Sequence, residues 1–113
     1  MSFLYESEEE IEAIVRGFEN CTMPGDDFHH REHLVVAVCY LETLSTSEAV
    51  AKMRGGLLQF LEHHGEDTQK YSEEITRFWI ERVDQRLSEL GSEMSLAEKC
   101  NVIVESVDFI YVK

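Results

Sequence analysis

Phe28-His29-His30-Arg31-Glu32-His33-Leu34-Val35-Val36-Ala37-Val38-Cys39-Tyr40-Leu41 sets three of the chain's five histidines at the head of a strongly apolar run. Leu34, Ala37, Tyr40, Leu41 and Leu44 keep the spacing of one buried helical face, so the stretch predicts a helix from about Asp27 or Phe28 to near Ser45. An Asp at its head can accept hydrogen bonds from the free N–H groups of the first turn. In that phase His30 and His33 face inward with the stripe, and His29 points further round the helix.

Four more amphipathic segments flank this one. Before it, Ile11, Ile14, Val15 and Phe18 line one face of a segment from about Ser7 to Asn20, which Met23-Pro24-Gly25-Asp26-Asp27 breaks. After it, Ser45-Thr46-Ser47-Glu48 announces a helix carrying Val50, Met53, Leu57, Phe60, Leu61 and His64 on one stripe, with Gly65 as its stop. His63 falls further toward solvent. Gly55 and Gly56 interrupt this helix at a cost of about 1 kcal/mol each relative to Ala, which argues for a close helix crossing or a kink there. A fourth segment has Ser72 as N-cap and Gly91 as stop. Its apolar side is Ile75, Phe78, Trp79, Val83, Leu87 and Leu90, with Phe78 and Trp79 read as core aromatics. Ser95-Leu96-Ala97-Glu98 is a capping box that opens a fifth, although Val102-Ile103-Val104 and Phe109-Ile110-Tyr111-Val112 are also rich in strand formers. The capping box decides for helix. The expected fold is therefore all-α, a compact bundle of about five helices in a single domain spanning 1–113.

Composition narrows the function classes. With 23 Asp and Glu against 10 Lys and Arg, the net charge is −13, and such a field repels phosphate backbones and anionic membrane surfaces. Direct nucleic-acid and membrane partners are not expected. The acidity reads first as a solvated surface, with the glutamates from Glu6 to Glu12 as the best docking segment for a basic protein. The first residues turn acidic without a basic or apolar leader, and no apolar run reaches membrane-span length, so a cytoplasmic protein is expected. Cys21, Cys39 and Cys100 lack C-x-x-C spacing and lie in or beside apolar stretches, as reduced core thiols do, and nothing local in the sequence would lower the Cys39 pKa.

Three readings are open to the histidines. They can be hydrogen-bonded core residues near a helix N-terminus, where the dipole favours neutral imidazole. They can line a ligand or catalytic pocket. They can hold a divalent metal such as Zn²⁺ or Fe²⁺, with His30, His33 and a carboxylate such as Glu73 or Glu74 arriving from another helix. H-x-x-H without the Glu of H-E-x-x-H does not by itself define a metal site, and Glu32 points away from the pair. Arg31, Arg54 and Arg77 are expected in internal ion pairs before ligand clamps.

Phe28-x-His30-Arg31-Glu32-His33-Leu34, Arg54-Gly55, His64-Gly65 and Tyr71-x-Glu73-x-Ile75-Thr76-Arg77-Phe78-Trp79 together resemble an uncharacterised group of small helical bacterial proteins. That group's pattern has an aromatic-x-H-R-x-H opening, an H-G at the end of a later helix, and a Y-H-E-T-[IL]-T segment. The resemblance spans Phe28 to Ile80 and carries no activity to transfer. It implies that His30, His33, His64 and Glu73 form one cluster, with Tyr71 and Ser72 beside it. Ser72 stands where the group's pattern has His, and Glu74 where it has Thr, so a site of that kind has lost one ligand or base here.

Two functions are thus expected. The first is a non-enzymatic binding or interaction protein with a protein partner, a small ligand or a second copy of itself. The alternative is a small-molecule or metal-binding pocket, or a degenerate enzyme, lined by His30, His33, His64, Tyr71, Ser72 and Glu73. In a hydrolytic version a His or Glu73 would act as base toward water, but no Ser/His/Asp order or phosphate loop supports a particular reaction.

Overall fold

The computed structural model describes residues 5–25, 28, 30–91 and 93–111, and the side chains of all of these except His30 and 106–111. Among them, five helices and no strand are found: α1 (Glu8–Glu19), α2 (His30–Leu41), α3 (Thr46–His63), α4 (Glu73–Ser88) and α5 (Leu96–Tyr111). A single 3₁₀ turn at Thr68–Lys70 joins α3 to α4. The strand-rich end is helical through Tyr111. Asp27, His29 and Val112 lie outside the described residues.

Reciprocal capping boxes start three of the described helices. Ser95 and Glu98 form the expected box, the Ser95 N–H donating to Oε1 of Glu98 at 2.8 Å and the Glu98 N–H to Oγ of Ser95 at 3.1 Å. Ser45 and Glu48 repeat it at 2.9 and 3.2 Å. A third box, Ser7 with Glu10 at 3.2 and 3.4 Å, opens α1 and is written in the sequence as the same S-x-x-E signature. Gly65 ends α3 at φ +71°, the left-handed turn that glycine adopts without steric cost. At the end of α1 the corresponding place goes to Cys21, at φ +58° and buried, while the N–H groups of Thr22 and Met23 return to the Gly17 carbonyl at 3.0 and 3.1 Å.

The central helix is α2, which packs against each of the other four. Leu34, Val35, Val36, Ala37 and Val38 are all buried, so the helix is enclosed on every side and the single stripe read from the sequence is too narrow. α4 corrects the sequence reading in the other direction. Its buried residues are Thr76, Ile80 and Val83, Trp79 is half-buried, and Ile75 and Phe78 stand 60% and 53% exposed. Phe78 is not a core aromatic.

Two contacts hold the periphery to this core. The buried Asn101 on α5 accepts the Tyr5 N–H at 3.0 Å and donates to the Tyr5 carbonyl at 2.8 Å, fastening the segment before α1 across the bundle. Gly56 brings α3 against α1: a Cβ there would lie 2.6 and 2.7 Å from ring carbons of Phe18. Gly55 faces open space, so only the second of the adjacent glycines makes the crossing.

Candidate functional site

The close approach at Gly56 admits the Phe18 ring to an aromatic cluster that builds the floor of a cleft. Phe18 stacks on Phe28 with centroids 4.7 Å apart and planes 8° from parallel, and both lie against Phe60, at 5.7 and 5.0 Å. His33 of α2 meets the Phe28 ring edge-on at 4.4 Å, and His64, the C-cap of α3, lies against Phe60 at 4.4 Å. The two imidazoles are thus set by neighbouring phenyl rings, geometry that aromatic quadrupoles favour.

Above this floor is a cavity of about 430 Å³. Phe28, Leu57, Phe60, Leu61 and Ile75 supply its apolar wall, and His33, His64, Tyr71, Ser72 and Thr76 supply its polar groups. Glu66 and Lys70 stand at its edge, joined at 2.6 Å. A second, smaller cavity of about 150 Å³ shares His33, Leu57, Ile75 and Thr76 with it and continues between α2, α3 and α4 toward Met53, Trp79 and Ile80.

The structure therefore brings together four of the six expected site residues: His33, His64, Tyr71 and Ser72. Their bonding differs. Ser72 caps α4, its hydroxyl accepting the Ile75 N–H at 3.2 Å. Tyr71 donates to Oε1 of Glu73 at 2.7 Å, and burial together with that bond raises its pKa above the ordinary 10.0. Nε2 of His64 is closed off from solvent and has no hydrogen-bond partner among the described residues. His63 is exposed, its ring edge-on to His64 at 5.1 Å.

Glu73 does not line the cleft. Arg54 holds both its oxygens at 2.9 and 3.0 Å, and Arg77 approaches at 3.4 Å. These bonds and the Tyr71 hydroxyl, the largest influence, hold the carboxyl below its ordinary pKa. Arg54 and Arg77 thus serve internal ion pairs, as their abundance of acidic neighbours suggests. The His30 side chain lies outside the described residues, and among those described no three His, Cys, Asp or Glu side chains are grouped as a metal ion would require.

Two features of the fold escaped sequence reasoning. Phe18, Phe28 and Phe60 come from three separate segments, and no local pattern links them. Cys39 and Cys100 also converge, from α2 and α5. The Cys100 thiol hydrogen-bonds Cys39 and lowers its pKa, while that bond and burial push Cys100 upward. Nothing local lowers the Cys39 pKa; the neighbour that does lies 61 positions away in sequence. No family model, curated protein or solved structure matches the chain.

Proposed function

We propose that this protein is a binding protein that receives a small molecule in the cleft between His33 and His64. The observation that carries this reading is the mostly apolar cavity of about 430 Å³ with a few polar side chains, at whose border the buried Nε2 of His64 has no partner among the described residues. A buried polar atom without a partner costs about 1–3 kcal/mol, and a ligand group that draws the ring toward the cleft and bonds it removes that cost. Apolar walls with a few convergent polar groups are the general form of small-molecule sites. Phe60 holds the His64 imidazole by ring contact, without drawing on its hydrogen-bonding capacity.

The test is a screen of uncharged fragments by amide correlation NMR. Saturable shifts gathered on Leu57, His64, Tyr71 and Thr76, and abolished in His64→Leu, are expected. Fragments that move no cleft resonance, or that move resonances all over the surface, overturn the reading.

A second reading rests on the exposed Ile75 and Phe78, because apolar side chains grouped on one helix face mark contact surfaces. It makes α4 a self-association face. Sedimentation of the wild type and Phe78→Ser decides it: a dimer lost in the variant supports it, and a monomer at all concentrations removes it.

A further inference from the structure

The two cavities meet at His33, Leu57, Ile75 and Thr76, and their chemistries differ. The smaller compartment is walled by Leu34, Ala37, Met53, Leu57, Trp79 and Ile80, with His33 and Thr76 at its junction with the larger one. An apolar cavity of about 150 Å³ accepts a benzene-sized guest. The larger compartment carries the hydrogen-bonding groups. Its only described ammonium, Lys70, is taken by Glu66 at 2.6 Å, so neither an anionic nor a cationic head finds an uncompensated Lys, Arg, Asp or Glu among the described lining residues. Once the His64 ring turns its enclosed Nε2 toward the cleft, a hydroxyl can donate to or accept from it, whichever tautomer the ring adopts.

Building on the binding role proposed above, we infer that the cleft takes an uncharged, hydroxyl-bearing molecule whose benzene-sized apolar group fills the inner compartment while its hydroxyl lies at the His64 end. Shape selects the ring, and the lack of an uncompensated charge among the described lining residues selects the head. Trp79 is the chain's single tryptophan and borders the inner compartment, so its fluorescence reports the ring's arrival independently of the head.

The experiment compares 2-phenylethanol, phenylacetate, 2-phenylethylammonium and ethanol at about 0.5 M NaCl, where long-range attraction to the acidic surface is screened. Trp79 emission and amide NMR are the readouts. 2-Phenylethanol is expected to change both saturably, and each of the other three to bind weaker by about tenfold or more, a difference of about 1.4 kcal/mol. Filling the inner compartment with Ala37→Val should cost 2-phenylethanol a similar factor, and Leu57→Phe serves if the first variant does not fold. Equal binding of phenylacetate or phenylethylammonium overturns the uncharged head. Equal binding of ethanol, or indifference of 2-phenylethanol to the filling variants, overturns the ring compartment while leaving cleft binding intact. If none of the four probes moves a cleft resonance but other uncharged fragments do, this ligand class alone fails; if no fragment does, the binding role fails as well.

Discussion

Gly55 and Gly56 are chemically identical neighbours with opposite uses, and the difference lies in what a methyl group would touch. At Gly56 it would strike the Phe18 ring, which is fully buried and stacked on Phe28. Gly56→Ala should therefore destabilise by about 1–3 kcal/mol and displace the rings that seat His33 and His64. Gly55→Ala meets open space inside a helix and should stabilise by about 0.5–1 kcal/mol. Urea unfolding of the two variants checks both signs at once. Ser72 is the N-cap that the sequence announces for α4, a place where Ser is strongly preferred. Ser72→Ala should cost about 1 kcal/mol and Ser72→Asp much less, measured by thermal unfolding; equal losses would mean that the hydroxyl does not act as a cap.

At the scale of elements, α2 and α4 show how far periodicity reaches. A helical period identifies a helix and its most apolar face, but the number of buried faces depends on how many neighbours surround it. α2 has four such neighbours, so Val35, Val36 and Val38 are buried off the stripe. α4 lies at the side of the bundle, and residues in its apolar pattern, Ile75 and Phe78, are left facing outward. The described segment before α1 is held by a long-range tie as well as by its local capping box. Asn101→Ala removes both bonds to the Tyr5 backbone and leaves buried polar groups unpaired, a loss of about 1–3 kcal/mol. Hydrogen exchange should show Tyr5 losing protection in that variant before α3 or α4 does.

For the whole molecule, charge sets the working range. Glu48 is held below the ordinary carboxyl pKa of 4.5 by the Ser45 backbone and hydroxyl, Glu66 by Lys70, and Glu73 by Tyr71 and Arg54. A depressed folded-state pKa adds stability above the unfolded value and loses it as pH falls through the folded one, so thermal stability should decline below about pH 4.5. Tyr40, buried and donating to Glu19 at 2.6 Å, is raised above 10.0, as is Tyr71. Their contribution is complete below the unfolded value and lost as pH rises beyond about 10. A melting temperature that falls below the lower limit and above the upper one is expected. With a net charge of −13, self-repulsion outweighs exposed ion pairs, so about 0.5 M NaCl should raise the melting temperature; a fall would show that the ion pairs dominate. Helix number, the capped starts of α1, α3, α4 and α5 and the all-α class are determined by the sequence itself, because capping and periodicity act between residues within a turn or two of one another; α2 begins at His30, with Phe28 outside it. Only the tertiary structure decides that α2 is central, that Phe18, Phe28 and Phe60 meet, that Glu73 turns to Arg54, and that Cys39 meets Cys100. Each of these depends on which distant segments share one volume, and packing acts on surfaces that exist only once the helices are assembled. The histidines at the head of the opening stretch illustrate the division: local phase turns His33 toward the core, but only the fold provides the Phe28 ring and the cleft beside it.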